Sequence, residues 1–333
     1  MLTFLANYGL FLAKTVTIVL ALLIIIAMII AAKAKAREQN NECLQIKKLN
    51  EKYDELCDEI NDIILSKAEK KAKKAEIKKA TKQNKSIAKI SKRIFVIYFD
   101  GDIKASAVDE LRETITAVLL TANKNDAALV CLESAGGLVN AYGLASSQLQ
   151  RLRDAKIHLT VAIDKVAASG GYMMACVADN IIAAPFAIIG SIGVLAQLPN
   201  LHRFLKKRDI DFEQLTAGEY KRTLTVFGEN TSAGREKLQE EINETHGIFK
   251  TFIKLHRPQV DIDAVATGEH WLATQCIDKK LVDQLQTSDD YLLSRKDEFD
   301  VYELEFKTKQ SLMKRLNIFV KNSLHQLFLA KSI

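Results

Sequence analysis

From Arg93 to Pro185 the chain alternates short, almost wholly apolar runs with longer stretches of helical spacing. No other feature of the sequence restricts the fold as much. The apolar runs are "RIFVIYFD", "AALVCLES", "HLTVAID" and "NIIAAP". Between them lie helical stretches at Ala105–Thr121 and Ala141–Arg153 and a third opening at Ser169. Runs with no in–out alternation belong to strands buried on both faces, and the helices between them act as crossovers. The expected fold class is therefore α/β, with parallel strands and helical crossovers. In such sheets, sites form beyond the carboxyl ends of the strands. Two glycine-bearing loops fall there: "ESAGG" (Glu133–Gly137) and "ASGG" (Ala168–Gly171). Neither is a phosphate cradle, because the chain has no GxGxxG and no GxxxxGK[ST].

The N-terminal run "TVTIVLALLIIIAMIIAA" (Thr15–Ala32) is uncharged and long enough for a bilayer-spanning helix, which needs roughly 18 apolar residues or more. A cleaved signal peptide would have a shorter apolar region, and Lys33 and Lys35 disfavour a cleavage site at "AAKAKA". A retained anchor is expected. Lys33, Lys35 and Arg37 follow the span, whereas Lys14 and the terminal amine precede it, so the positive-inside rule favours a cytoplasmic C-terminal side. A second apolar stretch, Tyr172–Leu198, contains Asp179, Asn180, Pro185, Gly190 and Gly193 and reads as a buried helix followed by short buried strands, not as a second span.

Between anchor and globular part, Ala34–Arg93 lacks proline and glycine and is rich in Ala, Lys, Glu and Leu, which favours a long helix acting as a stalk; a flexible basic linker is the alternative. The net charge of +6 is concentrated here, with twelve Lys and Arg residues from Lys67 to Arg93 against Glu69 and Glu76. That run suits an anionic surface or a solvated helix, and no nucleic-acid partner is expected. The five cysteines are widely spaced without a CxxC, so neither a metal site nor a disulfide framework is expected. No cofactor is implied.

Ser169 stands in "VAASGGYMMA", among alanines and glycines. It is either a buried turn residue or a nucleophile. A serine nucleophile needs a base within hydrogen-bond reach. None of the six histidines sits in a site-like motif, and the GxSxG elbow is absent. A lysine can serve if its surroundings favour the neutral amine. Lys221 lies among Tyr220, Leu224, Val226 and Phe227, but beside Arg222 a surface lysine is by far the commoner reading.

In order along the chain, "ESAGG", "ASGGYMMA", "APFAIIGSIGV" and "GEYKRTLT" resemble the membrane-anchored serine peptidases of the signal peptide peptidase A family. The resemblance spans essentially the whole chain. It implies a ClpP/crotonase-like core and a Ser-Lys dyad, with Ser169 as nucleophile and Lys221 as general base. Oxyanion donors would be the main-chain amides of Gly170 and of Gly136 or Gly137. Ser191, in "GSIGV", would orient the lysine; alternatively it satisfies its own turn. Relatives often carry proline where Ala135 stands here. His270 and Trp271 are expected to be rim or packing residues.

The resulting division is a membrane anchor at 1–33, a lysine-rich helical stalk at 34–93, a peptidase domain at 94–297 and an amphipathic tail at 298–333. In the tail, Leu312, Leu316, Phe319, Val320, Leu324, Leu327 and Phe328 recur on one helical face. "TGEHWLATQCIDKKLVDQL" is expected to form the last packed helix of the core. The implied partners are peptide or protein substrates, a bacterial inner membrane and further copies of the chain. Competing functions are an acyl-CoA enzyme on the same fold and a non-catalytic membrane scaffold.

Overall fold

The apolar runs become strands. In a computed structural model, which describes residues 12, 14–17, 19–20, 42–66, 68–70 and 92–308, "RIFVIYFD" falls within β2 (Lys92–Gly101) and "AALVCLES" forms β3 (Ala127–Ser134). β4 (His158–Ile163), β5 (Val166–Ala168), β6 (Asn180–Ala183) and β7 (Ile188–Gly190) follow. β2, β3, β4 and β6 lie side by side, all parallel. Leu129, Val130, Val161 and Ile181 on these strands are completely excluded from solvent, as expected for strands covered on both faces.

The helices are α1 (Leu49–Ile64), α2 (Val108–Thr121), α3 (Val139–Asp154), α4 (Gly170–Ala175), α5 (His202–Lys206), α6 (Ser232–His256), α7 (Ile262–Val265), α8 (Ala273–Cys276) and α9 (Ser288–Arg295), of which α2, α3 and α4 are the crossovers between those strands. β1 (Glu42–Lys48), β8 (His270–Leu272), β9 (Gln284–Leu285) and β10 (Phe299–Thr308) complete the sheet, ordered β1-β10-β2-β3-β4-β6-β9, with β5, β7 and β8 branching from β3. One core cluster joins Leu49 of α1 and Leu292 of α9 to Ile94, Val96, Leu129 and Val301 of the strands. Leu111, Ile115, Leu149 and Leu152 of α2 and α3 are also buried.

The chain divides into two units. Ile46–Glu305 is one; of the other, Met1–Gln45 with Phe306–Ile333, few residues are described.

Three expectations need correction. Residues 42–48, read as part of the helical stalk, form strand β1, and α1 brings Leu49 into the core, 4% exposed. Residues 299–305, read as tail, belong to β10 and pair in parallel with β2 from Phe299↔Lys92 to Leu304↔Ile97, burying Val301 and Leu304. Thr267–Leu285 is not one helix: it is split into β8, α8 and β9, because His270–Leu272 pairs antiparallel with β7. Most of the Thr15–Ala32 run, most of the Lys67–Arg93 run and the tail helix after Thr308 lie outside the described residues. Among the described residues no helix is long and apolar enough to cross a membrane.

Candidate active site

The two glycine-bearing loops leave neighbouring strands at the same level. Ser134, the last residue of β3, stands in register with Ala167 of β5, and Ala168 with Gly190 of β7. Ser169 follows at the turn from β5 into α4, half-buried, with φ 51° and ψ −117°. That is a conformation L residues rarely adopt, costing on the order of 1–3 kcal/mol unless the surroundings enforce it. The enforcement is visible. The Ser169 amide donates to the Gly190 carbonyl at 2.8 Å, and the Ser169 carbonyl accepts from Met173 at 3.0 Å.

Glycines allow the loops to close on this turn. A Cβ on Gly136, whose φ is 89°, would lie 2.8 Å from the Ser169 Cβ and 2.7 Å from the Gly170 nitrogen. A Cβ on Gly170 would strike the Tyr142 ring, and one on Gly171 would sit 2.5 Å from the Ser134 carbonyl oxygen. Glycine is thus a steric requirement at each of these places.

Beneath the first loop lies a buried polar network. Ser134 Oγ and the Tyr142 hydroxyl are 2.5 Å apart; Tyr142 donates to the Asp102 carbonyl at 2.7 Å, and Ser134 Oγ accepts from the Gly136 amide at 3.0 Å. Burial raises the pKa of Tyr142 above the ordinary phenol value, keeping it a neutral donor. Of the two expected loop amides, that of Gly136 is thus engaged by Ser134. The amides of Gly137 and Gly170 have no partner among the described residues.

Ser169 opens onto a cleft of about 530 Å³, with Gly137, Gly170 and Met173 near it, Val139 and Gly143 on α3, and Phe249 and Phe252 on α6. Among the described residues no histidine lines it. Lys221 does not line it either: it stands exposed on a turn, its amide donating to the Gly218 carbonyl at 3.2 Å, in the segment between α5 and α6. Ser191 follows Gly190, with φ 51° and its amide donating to the Glu269 carbonyl at 2.6 Å. The structure therefore brings Ser169 together with Gly136, Gly137 and Gly170 and sets Ser191 next in chain to the carbonyl that holds Ser169. Lys221 is exposed and is not among the residues that line the cleft.

Residues 3–149 match the family model "Peptidase family S49 N-terminal", and residues 151–302 match "Peptidase family S49". The chain belongs to peptidase family S49. Among its relatives, a "Probable protease SohB" of Haemophilus influenzae is 48% identical over 323 residues, 93% of this chain and 91% of that protein. A "Probable protease SohB" of Buchnera aphidicola is 53% identical over 238 residues, 72% of this chain and 71% of that protein. A solved membrane-bound stomatin-specific protease in complex with a substrate peptide aligns at TM-score 0.43 and 14% identity, covering 70% of this chain and 99% of that one.

This S49 member is a serine-type peptidase with a mostly parallel α/β sheet. Two parts of its site escaped the sequence. Ser134, within "ESAGG", is 2% exposed and ties the loop to Tyr142. Helix α6 supplies a cleft wall; its cap, Thr231 Oγ1 accepting from the Gly234 amide at 3.1 Å, and the spacing of Phe249, Phe252 and Ile253 were the available signals.

Proposed function

We propose that this peptidase is a membrane-anchored serine endopeptidase in which Ser169 attacks the scissile carbonyl and Lys221 is the general base. The observation that carries this is Ser169 itself, a hydroxyl held on a strained turn and lining an apolar cleft, with a glycine loop packed against it. A neutral Lys221 amine would take the Ser169 proton as the Oγ–C bond forms. The carbonyl oxygen would gain its charge facing the amides of Gly137 and Gly170, the two left free, and Gly136 would serve by close approach. The proton would then pass to the leaving amine, and water would release the acyl group from Ser169. Ser191 would orient the lysine. No metal or organic cofactor enters the scheme.

For this to operate, the segment carrying Lys221 must be held against the cleft. Exposed Leu195, Phe204, Leu215 and Tyr220 on residues 194–227 favour assembly with further copies of the chain as the means. The apolar cleft favours apolar peptides, signal-peptide remnants and membrane-associated proteins as substrates. Thr15–Ala32 would hold the enzyme, single-pass, in a bacterial inner membrane.

The test is peptide hydrolysis by detergent-solubilised full-length protein, wild type beside Ser169→Ala and Lys221→Ala, each verified as folded by circular dichroism. Both variants are expected to lose activity by about 10³-fold or more. Full activity in Ser169→Ala would overturn the assignment.

A further inference from the structure

We infer that Gly143 sets how large a substrate side chain the cleft accepts at the residue preceding the cleaved bond; this rests on the assignment of Ser169 given above. Gly143 lies inside α3, where glycine is the least favourable residue apart from proline. Its backbone gives no reason for glycine, since it is not among the positive-φ residues. Packing gives none either: a Cβ there would meet no atom within 4 Å, in contrast to Gly136, Gly170 and Gly171. A helix-weakening residue that the fold does not demand leaves room that the fold does not fill. That room belongs to the Ser169 cleft, which Gly143 lines together with Phe249 and Phe252. One turn further on, Ser147 donates its hydroxyl to the Gly143 carbonyl at 2.8 Å, so this stretch of α3 offers a satisfied, low wall. A low wall in a cleft also lined by two aromatic side chains and by Ser169 fits a large aliphatic or aromatic group at the residue before the scissile bond.

The experiment uses full-length, detergent-solubilised protein and peptides that differ only at that residue: Ala, Val, Leu or Phe. In Gly143→Leu, the Phe-over-Ala ratio of kcat/KM is expected to fall about tenfold or more, and in Gly143→Ala by less. Gly247→Ala replaces another interior helical glycine with open space around it, outside this cleft, and is expected to leave the ratio unchanged. An unchanged ratio in Gly143→Leu, or an equal fall in Gly247→Ala, overturns the inference. Binding of the same peptides, fluorescently tagged, to Ser169→Ala and to Ser169→Ala/Gly143→Leu reads the cleft without catalysis. There the Phe peptide is expected to lose affinity selectively, and equal affinities overturn the size limit. Cleavage by Ser169→Ala would instead refute the nucleophile and leave the binding result to decide the role of Gly143.

Discussion

Ser134 Oγ lies 2.5 Å from the Tyr142 hydroxyl, at the base of the glycine loop that packs against the Ser169 turn. Each group is tied to main chain as well: Ser134 to the Gly136 amide and Tyr142 to the Asp102 carbonyl. The pair joins β3, the glycine loop, α3 and the segment after β2, so loop geometry is fixed by hydrogen bonds from a strand end and a helix face. Tyr142→Phe removes the hydroxyl and leaves the Asp102 carbonyl without that donor. A stability loss of about 1–2 kcal/mol is expected. If the loop holds the oxyanion, kcat should fall about tenfold or more with KM little changed. Urea unfolding and steady-state kinetics would check both; a stability loss with unaltered kcat would remove the loop from the mechanism.

Gly136→Ala tests the same loop from the other side. The new methyl would lie 2.8 Å from the Ser169 Cβ, on a backbone with φ 89°. Either the loop or the nucleophile turn must shift, and displacement of about 1 Å costs on the order of 10²-fold in rate. We expect a fall of that size in kcat/KM with the α/β fold preserved by circular dichroism. Near-wild-type activity would show that the loop does not position the reaction.

How far the sequence anticipated this arrangement depends on which forces set each part. β2, β3, β4 and β6 were legible because strands covered on both faces must be continuously apolar. β10 was not: "FDVYELEFKT" interleaves Asp300 and Glu303 with its apolar residues, a pattern that alone does not choose between tail and sheet. Its place is settled by pairing with β2, about 200 residues away in sequence. The Ser169 turn was marked by its flanking glycines, whose steric demands are local. Lys221 has no such mark, since the turn that carries it is fixed by neither a helix nor a strand. The role of Ser134 depended on Tyr142, eight residues on and on a different element.

A buried ion pair at the sheet's other end gives a pH prediction. Asp126, its side chain fully buried, accepts from Arg93 Nη2 at 2.6 Å, Arg93 Nε at 3.1 Å and the amides of Arg93 and Asn123 at 3.0 and 2.8 Å. Burial works to raise the carboxyl's pKa, but the Arg93 and main-chain hydrogen bonds prevail and hold it below the ordinary aspartate value. A lowered folded pKa means that its stabilising contribution is complete above about pH 4, the unfolded value, and is lost as pH falls through the folded one. Asp126→Asn should cost about 2 kcal/mol at pH 7. The gap between variant and wild type in urea midpoint should narrow below pH 4; a gap independent of pH would contradict the charge argument.

Arg257 links the cleft wall to the sheet. It ends α6, is 2% exposed, and donates to both oxygens of Asp283, from Nη1 at 2.8 Å and from Nη2 at 2.7 Å, and from Nη2 to the Lys280 carbonyl at 2.9 Å. Asp283 Oδ2 in turn accepts from the Ile181 amide at 2.7 Å, tying the helix end to β6. Burial opposes the guanidinium charge, and the Asp283 carboxylate more than offsets it. A lysine has no planar fork to make both contacts, so Arg257→Lys is not conservative here. Removing one partner of a buried pair costs about 3–5 kcal/mol, and because Asp283 is about one-third exposed we expect about 2–3 kcal/mol for Arg257→Met. Phe249 and Phe252 lie on the last turns of the same helix, so loosening its end should blur the cleft wall before it disturbs Ser169. The expected kinetic signature at temperatures where the variant is folded is a raised KM for apolar peptides with kcat largely retained. A fall in kcat at constant KM would place the effect of Arg257 on the nucleophile turn instead, through Tyr172, whose hydroxyl donates to the Leu281 carbonyl at 3.1 Å.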